Sequence, residues 1–121
     1  MLVIAAALAG CTPTEPLTVE TIQTGKSLNT DDSIGAISTR FGPNETMYVS
    51  VLTQARGSGA ITVRWLIRGT LLHEETKDVS YTESAATAFR FQAADAFPAG
   101  DFTIEVLVDG EPVGTRTVRV E

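Results

Sequence analysis

The chain is poor in the side chains that staple, ligate and titrate. Its 121 residues hold one cysteine, Cys11, one histidine, His73, and one tryptophan, Trp65. A single thiol closes no intrachain disulfide, so a folded domain must be held by its core alone. One histidine and one cysteine are too few nitrogen and sulfur ligands for a zinc site. Positive charge is also scarce, with nine Lys and Arg against fifteen Asp and Glu, for a formal net charge of −6. Acidic character argues against the phosphate backbone of nucleic acid as a partner, because clustered Lys and Arg make that contact. It argues equally against electrostatic adhesion to anionic headgroups, and serves solubility instead. No apolar run reaches the roughly 20 residues that cross a bilayer as a helix. A G-x-S-x-G nucleophile elbow is missing, as is a twelve-residue calcium loop.

What remains is ordinary globular composition, 43% hydrophobic and 20% charged, which is enough to fold rather than stay disordered. The first nine residues carry no charge, and the run closes with Leu8-Ala9-Gly10-Cys11. This arrangement resembles the lipobox of bacterial lipoproteins. The resemblance implies a diacylglycerol on the Cys11 thiol, cleavage of the bond before it, and acylation of the new amino terminus. Residues 1–10 are then a removed signal peptide, 11–16 the lipidated cysteine and its tether, and 17–121 the folded domain. Removing ten of the 121 residues leaves about one domain. Two other readings stay open: a plain secretory signal, or a buried first strand with a core cysteine. Ala5-Ala6-Ala7 is poor strand material, and Thr12-Pro13-Thr14-Glu15-Pro16 reads as an extended, solvated tether. Against the lipoprotein reading, no Lys or Arg precedes Leu2, where signal peptides normally carry one.

From residue 17 onward the hydrophobic signal has period two. Ile61, Val63, Trp65 and Ile67 share one face of a run whose other face carries Thr62, Arg64 and Arg68, with Leu66 out of pattern. Phe102, Ile104, Val106 and Val108 alternate with Thr103, Glu105 and Asp109. Similar alternation places strands at Met47 to Leu52, Ala88 to Gln92 and Thr117 to Glu121, with weaker ones at Leu17 to Thr24, Ile34 to Arg40 and Leu71 to Thr76. Asp109-Gly110 is the strongest hairpin signal, since both central residues of a type I′ turn need positive φ. Val113 is out of phase with Val118, which predicts a bulge near Gly114. Gly57-Ser58-Gly59 reads as a flexible hairpin and Ala93 to Ala96 as one helical turn.

Seven or eight short strands without a disulfide predict an all-β, antiparallel two-sheet sandwich. Here the chain resembles the immunoglobulin-like superfamily. Trp65 stands in the third core strand, where such domains keep a buried tryptophan. Phe97-Pro98-Ala99-Gly100-Asp101-Phe102-Thr103-Ile104-Glu105-Val106 looks like the penultimate strand of bacterial Ig-like domains, with Phe102 where a corner tyrosine usually stands. The resemblance covers about residues 33 to 121 and implies an architecture, not an activity.

Candidates for chemistry are few. His73 could pair with Glu74 or Glu75 as a base, but its setting reads as an exposed outer strand or turn. Asn29-Thr30-Asp31-Asp32-Ser33 places oxygens at alternate positions, as a hard cation requires, yet Asp31 and Asp32 read better as turn residues. Arg64, Arg68 and Arg90 could form a basic stripe. Tyr48, Leu52, Leu66 and Leu107 fall on outward positions and would mark an interface if they clustered. The expectation is therefore a non-enzymatic, lipid-anchored envelope domain with a binding or structural role. It needs no cofactor or metal, touches the membrane through its lipid and meets a protein partner. Thr12, not aspartate, follows Cys11, which favours the outer membrane, facing the periplasm, in a Gram-negative cell. The alternatives are a small hydrolase or enzyme-associated subunit, and a glycan- or small-ligand-binding protein, which would need aromatics clustered at one end.

Overall fold

The computed structural model describes residues 15–121, so the expected lipidation at Cys11 and its lipobox residues Leu8, Ala9 and Gly10 lie outside the described residues. Eight strands follow in order: β1 (Thr18–Gly25), β2 (Arg40–Phe41), β3 (Met47–Gln54), β4 (Gly57–Ile67), β5 (Thr70–Tyr81), β6 (Ala85–Phe91), β7 (Gly100–Val108) and β8 (Glu111–Val120). They make a three-stranded sheet in the order β1-β3-β6 and a five-stranded sheet in the order β2-β8-β7-β4-β5. Every pairing between these strands is antiparallel except that of the two-residue β2 with the end of β8.

The period-two alternation is the cause of this arrangement. Met47, Val49 and Val51 of β3 and Phe89 of β6 turn inward from the small sheet. Ile61, Val63, Trp65, Phe102, Ile104 and Val106 turn inward from the large one, and all are buried. Successive side chains on a strand point to opposite faces, so each sheet has one oily side, and the two close on each other. Register keeps the rows aligned: Trp65 stands opposite Ile104 on β7, and Val63 opposite Val106.

The turns follow local chemistry. Asp109 and Gly110 take φ of 51° and 84°, as the type I′ signature requires. The Asp109 carboxylate also accepts the Ala60 amide at 2.9 Å, while its own amide donates to Ala60 O at 2.8 Å. The bulge falls where expected: Val106 pairs with Gly114 and Leu107 with Pro112, leaving Val113 as the extra residue.

Several expectations need correction. Gly57-Ser58-Gly59 is not a hairpin but the start of β4. The chain turns one step earlier, at Ala55-Arg56, and carries it from the small sheet to the large. Glycines are needed there because other groups press close: a Cβ on Gly57 would lie 2.7 Å from Pro16 O, and one on Gly59 2.9 Å from Asp109 Oδ2. Of Ile34 to Arg40, only Arg40 joins a strand. The residues before it fold back on the end of β1, with Lys26 N donating to Ala36 O and Gly35 N to Ser27 O. Residues 93–96 form no helical turn. Leu107 points outward yet is buried, in a row with Thr62 and Pro112.

Candidate functional site

The large sheet is wider than the small one, and its edge strand β5 stands beside the free edge of β6. Residues 73, 75, 77, 79 and 81 of β5 share the inward face, because His73 pairs with Trp65, Glu75 with Val63 and Lys77 with Ile61. Most of these inward residues are polar. They reach across to β6 at three places. The His73 ring stacks on Phe91, with centroids 4.7 Å apart and planes 14° from parallel. Lys77 Nζ donates to Ala88 O at 2.5 Å and lies 5.1 Å from the Phe89 ring centre. The Tyr81 and Thr87 hydroxyls share a hydrogen bond of 2.8 Å. Along this flank lies an open cleft of about 510 Å³, lined by His73, Glu75, Lys77, Phe89, Arg90 and Asp32 among others. Its size suits a small ligand, but its charges are mixed and no hydroxyl–imidazole–carboxylate series is assembled in it.

The structure separates most of the sequence candidates. His73 is not an exposed edge residue: it is half-buried between Phe91 and Trp65, whose ring centre is 5.4 Å away. It makes ring contacts in place of a bond to a serine or carboxylate, so it lacks the orienting partner of a general base. Arg64 pairs with Glu74 across β4 and β5. Arg90 stands on β6, in the other sheet, and Arg68 sits in the β4–β5 turn, so no basic stripe forms. The expected outward apolar residues also divide, with Tyr48 and Leu52 on the small sheet and Leu66 and Leu107 on the large one.

The Asp31 and Ser33 side-chain oxygens are spent on a turn. Asp31 Oδ1 accepts the Ser33 amide at 3.0 Å and the Ser33 hydroxyl at 2.5 Å. The hydroxyl, followed by the amide, holds the Asp31 carboxyl below its ordinary range. Asn29 Nδ2 donates to Ser33 Oγ. Among the described residues, no three His, Cys, Asp or Glu side chains are placed to hold a metal ion. The segment instead covers the outer face of the small sheet, where the buried Ser50 hydroxyl donates to Asp32 O at 2.8 Å.

Aromatic rings do gather at one end of the sandwich. Phe91 meets Phe97 edge-on at 5.0 Å, and Phe97 meets Phe102 at 5.7 Å. Phe97, Phe102 and Trp65 are buried, however, and offer no open face to a sugar. Trp65 Nε1 is, among the described residues, the one buried side-chain polar atom without a hydrogen-bond partner.

No family model matches the sequence. No curated protein matches it either. Solved structures do match in shape. An immunoglobulin-like protein from Pseudomonas aeruginosa aligns over 89% of this chain and 98% of its own, with a TM-score of 0.59 and 12% identity. The fold is an immunoglobulin-like β-sandwich. The same shape occurs within larger proteins. An alkylpurine DNA glycosylase from Pseudomonas fluorescens matches over 97% of this chain but 33% of its own (TM-score 0.54, 14% identity). A β-glucosidase from Listeria innocua matches over 84% and 16% (TM-score 0.52, 16% identity). At these identities the likeness concerns the fold alone.

The cleft itself was not legible from hydropathy. Alternation reads an inward face by its oiliness, and β5 turns inward the polar set His73, Glu75, Lys77 and Tyr81. The alternation is present in other terms: His73, Glu75, Lys77, Val79 and Tyr81 stand on one face and Glu74, Thr76, Asp78 and Ser80 on the other.

Proposed function

We propose that this chain is a lipid-anchored domain of the bacterial cell envelope with a non-catalytic binding or structural role, facing the periplasm from the outer membrane in a Gram-negative cell. The observation that carries the proposal is the run Leu8-Ala9-Gly10-Cys11 standing five residues ahead of Pro16, where the chain already contacts the sandwich. A lipid on Cys11 would localise the domain, and several acyl chains would hold it far more firmly than one, at about 0.8 kcal/mol per buried methylene. The non-catalytic reading is supported by His73, whose imidazole is packed between rings rather than hydrogen-bonded to a reacting group. Burial of the aromatic cluster disfavours a glycan-binding role.

Cys11→Ala tests the anchor. Wild-type protein is expected in the carbonate-washed membrane fraction and the variant in the soluble fraction, while globomycin makes the unprocessed precursor accumulate. A Cys11→Ala protein that stays with carbonate-washed membranes overturns the anchoring reading.

A further inference from the structure

The segment that leads into the sandwich is docked before the first strand begins. Ser58 N donates to Glu15 O at 2.9 Å, Pro16 forms a parallel bridge with Ser58, and Arg56 Nε lies 3.4 Å from Glu15 Oε1. The bare Gly57 backbone makes room for this approach, since a Cβ there would stand 2.7 Å from Pro16 O and 3.1 Å from Leu17 Cα. The chain therefore enters at one defined end. That end carries the Ala55-Arg56 turn, the β5–β6 connection at 82–84 and the Asp109-Gly110 hairpin. The opposite end carries the Arg68-Gly69 turn, residues 42–46 and residues 92–99.

Resting on the anchoring reading, we infer that the Asp109-Gly110 end faces the bilayer and the Arg68-Gly69 end, with exposed Leu71 and Leu72 beside it, projects away from it. Four residue steps separate Cys11 from Glu15, a reach of at most about 14 Å when fully extended. The eleven residues of β4 run the length of the sandwich, roughly 35 Å. A tether so much shorter than the domain, joined to a docked entry, cannot present both ends to the membrane equally. The bilayer-facing end holds the carboxylates of Glu15, Glu83, Asp109 and Glu111, while its guanidinium, Arg56, is engaged by Glu15. Those charges oppose anionic headgroups, so the chain's entry point and not electrostatic attraction sets the orientation.

The experiment uses the full lipidated chain in phosphatidylcholine vesicles containing spin-labelled headgroups. With the Cys11 thiol blocked by lipid, an introduced cysteine is the sole target for a fluorophore. Glu111→Cys and Thr70→Cys, both at exposed positions, report the two ends. Quenching several-fold stronger at position 111 than at 70 is expected. Adding Gly57→Ala, which crowds Pro16, brings that ratio toward one while the protein stays vesicle-bound. Equal or reversed quenching in a vesicle-bound protein overturns the orientation and leaves the anchor standing. A ratio unmoved by Gly57→Ala overturns entry docking as its cause. Protein that fails to float with the vesicles overturns the anchor, and the orientation with it.

Discussion

The two flanks of the sandwich are closed by different means. On the β1–β8 flank, Ile22 is buried against a residue with no side chain: its Cδ1 lies 2.7 Å from where a Cβ on Gly114 would stand. Arg116 Nε seals the same flank by donating to Ile22 O at 3.0 Å. On the β5–β6 flank, long side chains span the gap and end in polar contacts, with a cleft alongside. One flank is shut mainly by apolar burial and close backbone approach, with one hydrogen bond added; the other is shut by a ring stack, a cation–π contact and single hydrogen bonds. A buried aliphatic side chain contributes about 1.5–3 kcal/mol, whereas a hydrogen bond nets about 1 kcal/mol. Local opening should therefore start between β5 and β6.

That contrast can be broken from the tight side first. Gly114→Val forces a branched side chain into the space of Ile22 and should cost roughly 1–3 kcal/mol, read as a fall in the urea midpoint. A neutral result would mean that the β1–β8 flank is as loose as its counterpart. Tyr81→Phe removes the hydroxyl pair with Thr87 and should cost about 1 kcal/mol. Hydrogen exchange should speed up in β5 and β6 while the β1 and β8 amides stay protected. Uniform acceleration would show that the flanks open together.

The smallest effect concerns acid. Glu45, in the loop between β2 and β3, accepts the Gly42 amide at 2.5 Å and pairs with Lys26 at 3.1 Å, just past the end of β1. The Gly42 amide first, and Lys26 second, hold its carboxyl below the ordinary value of 4.5. Its stabilising contribution is thus complete above that value and is lost as pH falls through the lowered one. Glu45→Gln should flatten the stability profile as pH falls from the ordinary carboxyl value of 4.5 through the lowered one. Unchanged acid sensitivity would assign the effect to other carboxylates.

Legibility in the sequence followed the same division. The core rows of β3, β4 and β7 were readable because each has an oily and a polar side, and Asp109-Gly110 because the turn demands those residues. The Arg68-Gly69 turn takes the same positive φ values, 50° and 80°, but arginine does not announce such a bend. Strand β5 runs to Tyr81 where alternation suggested an end at Thr76, because its inward Lys77 and Tyr81 are polar and reach across to β6, and only Val79 packs on the core. The parallel β2 is two residues long and carries no periodic signal at all. The segment after β1 carries alternating apolar residues, yet its amides bond back on the preceding turn rather than along a sheet. The lack of an assembled catalytic group at His73 was a matter of neighbours, and only the fold supplied the rings that enclose it.

The solitary indole of Trp65 also gives the protein a built-in optical gauge. It is fully enclosed, its N–H has no acceptor, and Phe91 and His73 lie against it. Its emission should be shifted to the blue of indole in water, and light excited at the red edge, where the two tyrosines do not absorb, would come from one spot, where the core row meets the looser flank. A molecule settling in the cleft, or β5 lifting away, should change the colour or lifetime of that glow without any added dye.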